Sequence, residues 1–243
     1  MIKISPTVAS QLFKIKKTQL EMIRDRGYDI SDEEAVLEYD LKDFTEWYTE
    51  KSTEEKKTFR NSLSGTYTKI REPDVGSTMF VRYLDYETKS KNLGLAIVKL
   101  VISEMEKNRA DYAVLISEQE FTPDASEQLR KGKSGRIQHF MDMELWFNPT
   151  KHVLVPRHEV LSKAEQDQVM AAMKEKGSAE GKYQLMGLKY TELGIHDKGR
   201  NRYPDAIVKY LGLLPGTIVR IHRVNLSLEG LVNETIVHRV VTY

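Results

Sequence analysis

The sequence predicts a two-domain α+β protein, in which an N-terminal α/β domain (residues 1–149) precedes a small C-terminal α+β domain (residues 150–243). At about 150 residues per domain, the 243 residues allow one large domain or two small ones. Strand-like, helix-like and strand-like segments follow one another between residues 79 and 117, which favours a parallel strand pair with a crossover helix. The pattern changes at the turn signal Asn148-Pro149, so we place the domain boundary there.

Composition limits the possible classes of function. Hydrophobic residues make up 40% of the chain and charged residues 30%, which excludes disorder throughout. The net charge is +1, so any contact with nucleic acid requires a local basic patch. The absence of cysteine excludes disulfides, thiolate zinc sites and cysteine nucleophiles. The start of the sequence lacks a signal core and the longest apolar run is short, so we expect an intracellular protein without membrane contact.

Two helical segments open the chain. Ser5 and Pro6 are typical of a helix start, and apolar residues then recur at helical spacing as far as Gly27. Ser31 and Glu34 have the spacing of a capping box and predict the start of a second helix or helix pair. The apolar face of this second segment contains Leu41, Phe44, Trp47 and Tyr48.

The remainder of the first domain predicts a sheet flanked by helices. Residues 51–71 are polar and lysine-rich, and we expect mostly loop there. Residues 79–84 alternate as a strand does, and the apolar run 112–117 is typical of a buried strand. Between them, the length and spacing of residues 93–105 favour the crossover helix.

The second domain begins with a predicted strand and helix. Residues 153–155 form a short apolar run that Pro156 ends, which indicates a strand. Ser162 and Glu165 then form a capping-box pattern, and the helix that they open is predicted to end at Gly177.

A short helix and two strands complete the predicted mixed sheet. The helix is predicted to start at Tyr203-Pro204-Asp205, where proline suits a first turn, and to stop at Gly212. Strands are predicted over residues 217–223 and 234–243, and they form a hairpin. Its apolar face contains Val219 and Ile221 with either Ile236 and Val240 or Val237 and Val241.

Catalytic and metal motifs are mostly missing. The sequence has no glycine-rich phosphate loop and no helical HExxH motif, so we predict no cofactor. The histidine pairs of the second domain lack a carboxylate at ligand spacing, which argues against a metal site. Ser117 and Ser134 have no recognisable catalytic histidine and acid, and so they indicate ordinary loop serines. A free-standing nuclease-type α/β enzyme stays open as the alternative, with its acids drawn from Asp74, Asp85, Glu118 and Glu120.

One segment indicates binding. Thr122 can cap a helix whose first turn contains Pro123, and a free helix N-terminus can hold a phosphate. Two glycines separate basic residues just beyond it, which suits contact with a duplex backbone, although a charge run is more often a solvated face. These basic residues are Arg130, Lys131, Lys133 and Arg136.

Five segments, in order, resemble the shared subunit five of eukaryotic nuclear RNA polymerases. They include KTQLEMIRDRGYDISDEE at residues 17–34, TPDA at 122–125 and HVLVPRH at 152–158. The remaining two are VGS at 75–77 and the long segment 205–223. The resemblance covers most of the chain, and five ordered matches are more specific than any one of them.

The resemblance implies a non-catalytic subunit of a multisubunit DNA-directed RNA polymerase. The first domain would then be a jaw domain near downstream duplex DNA, and the second an assembly domain of the type found in the small archaeal counterpart of this subunit. The implied partners are the largest polymerase subunit, other polymerase subunits and DNA. The implied location is the nucleus, or the nucleolus for a polymerase I-specific form, or the cytoplasm or virion for a viral version. A free DNA-binding regulator is disfavoured by the net charge of +1.

The resemblance also implies site residues. Those near DNA are Thr122, Pro123, Asp124 and Ala125, joined by the basic residues named above. Those for assembly are His152, Pro156, His158, Arg200, Asp205, Tyr210, Gly212 and Arg220. The family has serine where this chain has Asp124, and an acid at a helix N-terminus repels phosphate. The divergent segment 198–204 retains only Arg200 of the matching family pattern, so we predict a divergent lineage.

Overall fold

The described part of the chain forms two compact units, one ending at Asn148 and the other beginning at Pro149. The computed structural model describes residues 6–54, 60–70, 78–84, 93–131, 136–176, 187–189, 205–226 and 232–242. Within these ranges, no helix has the length and apolar character needed to span a bilayer.

The first unit opens with helix α1 (Pro6–Asp25). Its buried face follows the helical spacing of the apolar residues, which include Leu12, Ile15, Leu20, Met22 and Ile23. The helix ends as predicted at Gly27, whose φ of 83° is a left-handed conformation that suits glycine. Tyr28 then donates its backbone N–H to the carbonyl of Ile23 at 3.1 Å, which closes the last turn.

The predicted capping box at Ser31 and Glu34 is wrong. The short 3₁₀ helix Glu34–Leu37 has no side-chain cap. The capped helix is α2 (Leu41–Glu54), where one carboxylate oxygen of Asp40 accepts two backbone N–H groups at 2.7 and 2.8 Å. Aspartate satisfies free amide groups at this position and favours the positive end of the helix dipole.

The first unit contains a four-stranded sheet in the order β1-β2-β3-β4. Its strands are β1 (Gly65–Thr68), β2 (Thr78–Tyr83), β3 (Tyr112–Ser117) and β4 (Ile137–Met141). β1 is antiparallel to β2, whereas β2, β3 and β4 are parallel, so the predicted parallel pair is confirmed. The prediction of mostly loop over residues 51–71 is wrong where α2 and β1 lie, and β4 was not predicted.

Helices cover the sheet of the first unit, as predicted. α3 (Leu95–Lys107) is the crossover between β2 and β3, and α4 (Pro123–Lys131) connects β3 to β4. Their apolar sides and the sheet bury one cluster, which contains Phe80, Leu84, Leu93, Val98, Val101, Met105, Ala113, Leu115, Phe121, Ala125, Leu129 and Ile137. Each fully buried large member contributes about 1.5–3 kcal/mol to folding.

The second unit contains a mixed sheet, as predicted, in the order β5-β7-β8-β6. Its strands are β5 (Arg157–Val160), β6 (Gly187–Lys189), β7 (Ile218–Leu226) and β8 (Val232–Thr242). β7 pairs antiparallel with β5 and β8, and β6 pairs parallel with β8.

The strand predicted over residues 153–155 is a turn. Val153 and Leu154 are 91% and 82% exposed. The N–H of Val155 donates to the carbonyl of His152 at 2.9 Å, which closes the turn. β5 begins only after Pro156, because proline has no N–H for a strand ladder.

The second unit also contains two helices with capped N-termini. α5 (Lys163–Lys176) has the predicted capping box, in which Ser162 donates its backbone N–H and its hydroxyl to Glu165 at 2.9 and 2.7 Å. Its predicted stop at Gly177 lies outside the described residues. α6 (Ala206–Leu211) ends at Gly212, whose φ is 64°.

The hairpin of β7 and β8 presents one apolar face to α6. Val219 and Ile221 are buried with Val208 and Leu213. Val241 is 1% exposed and belongs to this core, whereas Ile236 is 53% exposed. Of the two alternatives for β8, the face containing Val237 and Val241 is therefore the inner one.

Candidate functional site

The start of α4 is built as its sequence predicts. The Oγ1 of Thr122 accepts the backbone N–H of Ala125 at 3.3 Å, and the N–H of Thr122 donates to the carbonyl of Leu93 at 2.9 Å. Ala125 is fully buried, while Pro123 and Asp124 are exposed. The exposed charge at the positive end of this helix is thus the Asp124 carboxylate, which disfavours a second anion there.

Two of the four predicted basic residues lie at the other end of α4. Arg130 and Lys131 are the last residues of this nine-residue helix, about 10 Å along its axis from the first turn at 1.5 Å per residue. Arg136 is exposed and directly precedes β4, and its carbonyl accepts the N–H of Ala113 at 2.7 Å. Lys133 lies outside the described residues. Of the predicted DNA-proximal residues, the segment 122–125 therefore lies at the start of α4, and Arg130 and Lys131 lie at its end.

Ser117 has a histidine partner that the sequence did not indicate. Its Oγ lies 2.7 Å from Nε2 of His139 and donates to the carbonyl of Gln119 at 2.7 Å. Because the hydroxyl proton points to Gln119, the oxygen accepts from the Nε2–H of His139. Ser117 is also buried, so the pair fixes the end of β3 against β4 and does not present a nucleophile.

Glu118 and Glu120 are the two acids of the nuclease alternative that the structure describes, and they belong to no group that could hold a metal ion. Glu118 pairs with Arg60 at 3.4 Å, and Arg60 is held mainly by the buried Asp142 at 2.7 and 2.5 Å. Asp74 and Asp85 lie outside the described residues. Within the described ranges, no group of three His, Cys, Asp or Glu residues could hold a metal ion.

Several of the predicted assembly residues also build the second unit. The carboxylate of Asp205 accepts the N–H groups of Ile207 and Val208 at 2.9 and 3.0 Å and so caps α6. Tyr210 is buried, and Gly212 supplies the left-handed end of the same helix. Arg200 lies outside the described residues.

The histidines of the segment 152–158 have local partners. Nδ1 of the exposed His152 accepts the N–H of Leu154 at 3.2 Å. Nδ1 of His158 donates to the carbonyl of Pro156 at 2.7 Å. These bonds hold the turn that leads into β5, and they leave the apolar side chains of Val153 and Leu154 exposed.

Arg220 is the centre of a charged cluster on the other face of the hairpin. Its guanidinium contacts Glu159 at 3.0 Å and Glu165 at 3.7 Å, and Nε2 of His222 lies 3.3 Å from Glu159. Hydrogen bonds from His222 and Arg220 lower the pKa of the Glu159 carboxyl. Burial, with a smaller effect of Arg220, lowers the pKa of His238, which stands opposite Arg220 in β8. Arg220 thus links α5 to the sheet.

A buried ionic network in the first unit was missed from the sequence. The ammonium group of Lys16 has no exposed surface and donates to Glu33 at 2.7 Å, to the carbonyl of Leu63 at 3.1 Å and to the hydroxyl of Tyr67 at 3.1 Å. The Tyr67 hydroxyl donates to the same Glu33 oxygen at 2.6 Å, and Lys51 pairs with its other oxygen. The sequence contains one signal of this burial. Lys16 follows the buried Leu12 at a spacing of four residues, so the two residues share one face of α1.

The network changes the acidity of its members. Burial alone would raise the pKa of the Glu33 carboxyl, but the ammonium groups of Lys16 and Lys51 outweigh it and lower that pKa to about 2. Burial and the Glu33 charge raise the pKa of Tyr67. Glu33 is therefore a carboxylate, and Tyr67 a neutral donor, throughout the physiological pH range.

Comparisons with known proteins agree with the resemblance. Residues 7–105 match the family model described as RNA polymerase Rpb5, N-terminal domain. Proteins named DNA-directed RNA polymerases I, II, and III subunit RPABC1 are similar over most of their length. Those of Caenorhabditis briggsae and Caenorhabditis elegans are 28% and 27% identical over 214 residues, which cover 88% of this chain and 89% of each relative. That of Dictyostelium discoideum is 26% identical over 217 residues, which cover 88% and 90%.

Proposed function

We propose, on the premise that this chain is a divergent Rpb5-type subunit of RNA polymerase, that its first unit lies beside downstream duplex DNA and its second unit docks on the largest polymerase subunit. The observation that carries the proposal is the extent of the similarity, since an alignment over 88% of the chain includes most of both units. The relatives are named as subunits of DNA-directed RNA polymerases, and this chain is proposed to act as such a subunit without a catalytic site of its own.

The basic end of α4 supports DNA contact by the first unit. Arg130 and Lys131 occupy the last turn of the helix, where cations are favoured by its dipole, and Arg136 is exposed beyond it. Cations without a rigid base-reading element contact phosphates and carry no sequence preference. We therefore propose that this end of α4 contacts the phosphate backbone of DNA. At the other end of the helix, Asp124 repels phosphate.

The salt dependence of DNA binding by the assembled polymerase tests this proposal. Each phosphate neutralised adds about 0.9 to the slope of log affinity against log salt, so replacing Lys131 and Lys133 with Ala should reduce the slope by up to about 2. The matched control replaces Lys14 and Lys42 with Ala, because both are exposed lysines of α1 and α2. A slope that falls equally in the control, or in neither variant, contradicts the proposal.

Docking by the second unit is tested on the intact chain by lysine cross-linking in the purified polymerase. The exposed Lys151 and Lys163 belong to the second unit, and the exposed Lys14 and Lys42 belong to the first. We expect cross-links to the largest subunit from the second-unit lysines. Cross-links to that subunit from the first-unit lysines alone would reverse the assignment.

The location is proposed from the same relatives. They are subunits of eukaryotic polymerases, which implies a nuclear site of action. Staining of the tagged chain distinguishes a form shared among polymerases, which spreads through the nucleus, from a polymerase I-specific form in the nucleolus. Recovery from the cytoplasm or from virions would instead indicate a viral version.

A further inference from the structure

A groove of about 540 Å³ runs along β1, which is one edge of the first sheet. Its walls are residues 29–33, the α2 residues Trp47, Glu50 and Lys51, and residues 64–68. We call this feature the β1 groove. It is separate from the α4 residues that the proposed DNA contact uses.

One part of the outer edge of β1 is covered by another segment of the chain, and the other part faces the groove. The carbonyl of Thr68 accepts the N–H of Asp29 at 2.7 Å, and the N–H of Ile70 donates to the carbonyl of Gly27 at 3.2 Å. Alternate residues of a strand direct their backbone groups to the same side, so Thr66 also directs its N–H and C=O outward. Among the described residues, no other segment makes a backbone hydrogen bond to Thr66. The groove therefore exposes an unpaired donor and acceptor of an edge strand.

The charge of the groove is negative. Four carboxylates line it, those of Asp29, Asp32, Glu33 and Glu50, against the single ammonium group of Lys51. Glu33 is already neutralised by Lys16 and Lys51. Asp32 and Glu50 are exposed, and the described residues provide neither of them with an ion-pair partner. Two carboxylates thus remain available to a cation that enters from outside.

An aromatic wall adds to this preference for cations. The ammonium group of Lys51 lies 4.9 Å from the ring centroid of Trp47, so this ring already holds one cation against the groove. Phe44 supports the ring from the core at a centroid distance of 5.6 Å. Trp47 therefore packs on Phe44 and lines the groove, where it can contact the stem of a long basic side chain.

We propose that the β1 groove binds an extended, lysine- or arginine-containing segment of a protein partner. The segment pairs with Thr66 as an added strand and directs a basic side chain toward Asp32 and Glu50. Backbone pairing supplies an affinity that is independent of side chains, and the carboxylates select for positive charge. This inference rests on the β1 edge and holds whether or not α4 contacts DNA.

Trp47 supplies a direct readout. The chain has two tryptophans, so the Trp146→Phe variant leaves Trp47 as the only one. The probe is the peptide acetyl-Val-Lys-Val-Lys-Val-amide, titrated into this full-length variant at low salt while Trp47 emission is recorded. We expect a saturable change in emission. The same peptide with Glu in place of Lys should produce none.

Paired variants test the charges. Replacing Asp32 with Asn and Glu50 with Gln should weaken peptide binding about tenfold, since each exposed ion pair contributes up to about fivefold. The control replaces Glu34 and Glu38 with Gln, because both are exposed acids that do not line the groove. This control variant should bind the peptide with the same affinity as the protein without these substitutions. Equal weakening in both, or in neither, overturns the proposal.

A modified peptide tests the added strand without altering the protein. Methylation of its alternate backbone nitrogens removes the donors that pairing with Thr66 requires, and we expect at least a tenfold loss of affinity. Equal binding of the methylated peptide would assign the signal to charge alone and overturn the strand pairing. No saturable change with the unmodified peptide, or self-association that competes with it, would show that the groove has another occupant and would overturn the proposal.

Discussion

The ammonium nitrogen of Lys16 and a carboxylate oxygen of Glu33 lie 2.7 Å apart in the interior of the first unit. This contact joins α1 to the segment between α1 and α2, and Tyr67 adds β1 to it through a 2.6 Å hydrogen bond to Glu33. Four elements of structure therefore depend on one carboxylate, because Lys51 of α2 reaches its other oxygen.

Replacing Lys16 with Met should destabilise the first unit by about 3–5 kcal/mol. The variant leaves the Glu33 carboxylate with Lys51 as its one described cation and the Tyr67 hydroxyl as a neutral donor, and removing one partner of a buried ion pair has this cost. Lys14→Met is the control, because Lys14 is exposed on the same helix, and it should change stability by less than about 0.5 kcal/mol. Urea denaturation followed by tryptophan emission measures both. Similar shifts in the two variants would mean that the Lys16 pair contributes nothing specific.

Stability of the first unit should fall in acid as Glu33 is protonated. The pKa of Glu33 is lowered to about 2, so its contribution is fully present above the unfolded pKa near 4.5 and is lost as the pH falls toward about 2. A lowering of this size corresponds to about 3 kcal/mol. Glu33→Gln should flatten this part of the curve when the unfolding free energy is measured between pH 5 and 2. A curve for Glu33→Gln that is as steep as the wild-type curve would contradict the assignment.

Replacing Gly65 with Ala should destabilise the first unit by about 1–3 kcal/mol. The added Cβ would lie 3.0 Å from the Tyr67 hydroxyl, which must then move away from Glu33 and Lys16. Gly94→Ala is the control, since a Cβ there meets nothing within 4 Å and the backbone is extended. Thermal unfolding of the two variants measures the difference. Equal midpoints would show that the Tyr67 ring adapts without loss.

A charge in the hairpin core should unfold the second unit. Ile221 is buried beside Val219 and Val208, so Ile221→Asp places an unpaired carboxylate in an apolar core. Ile236 lies on the other face of the same hairpin and is mostly exposed, so Ile236→Asp should leave the fold intact. Amide hydrogen exchange of β7 and β8, measured in the whole chain, reports whether the hairpin stays folded in each variant. Protection that survives in Ile221→Asp would contradict the packing described for this core.

Local signals account for what the sequence predicted well. Thr122 caps its helix through its own side chain, and Gly212 ends another through its own backbone, so a few neighbouring residues determine each feature. The parallel pair of β2 and β3 was also predictable, because strand, helix and strand follow in order.

Features that depend on distant residues were missed. β1 is polar, and its position is determined by pairing with β2 and by the Tyr67 contacts, neither of which has a local pattern. Lys16 was overlooked because its partner Glu33 is 17 residues away. Val153 and Leu154 have strand-like composition, but the hydrogen bonds of His152 hold them in a turn. Tertiary contacts outweighed local propensity for β1 and Lys16, whereas in the turn at residues 152–155 local hydrogen bonds outweighed the strand-like composition.

The buried pair of Arg60 and Asp142 affects how the chain is synthesised. Its partners are 82 residues apart in sequence, so at about 5–20 residues per second Arg60 is translated about 4–16 s before Asp142. During that interval α1, α2, β1 and β2 can emerge from the ribosome while the Arg60 guanidinium remains hydrated. Closure of the first unit must therefore wait until nearly all of residues 1–148 have left the exit tunnel, and a ribosome that stalls earlier would hold an open sheet with an exposed strand.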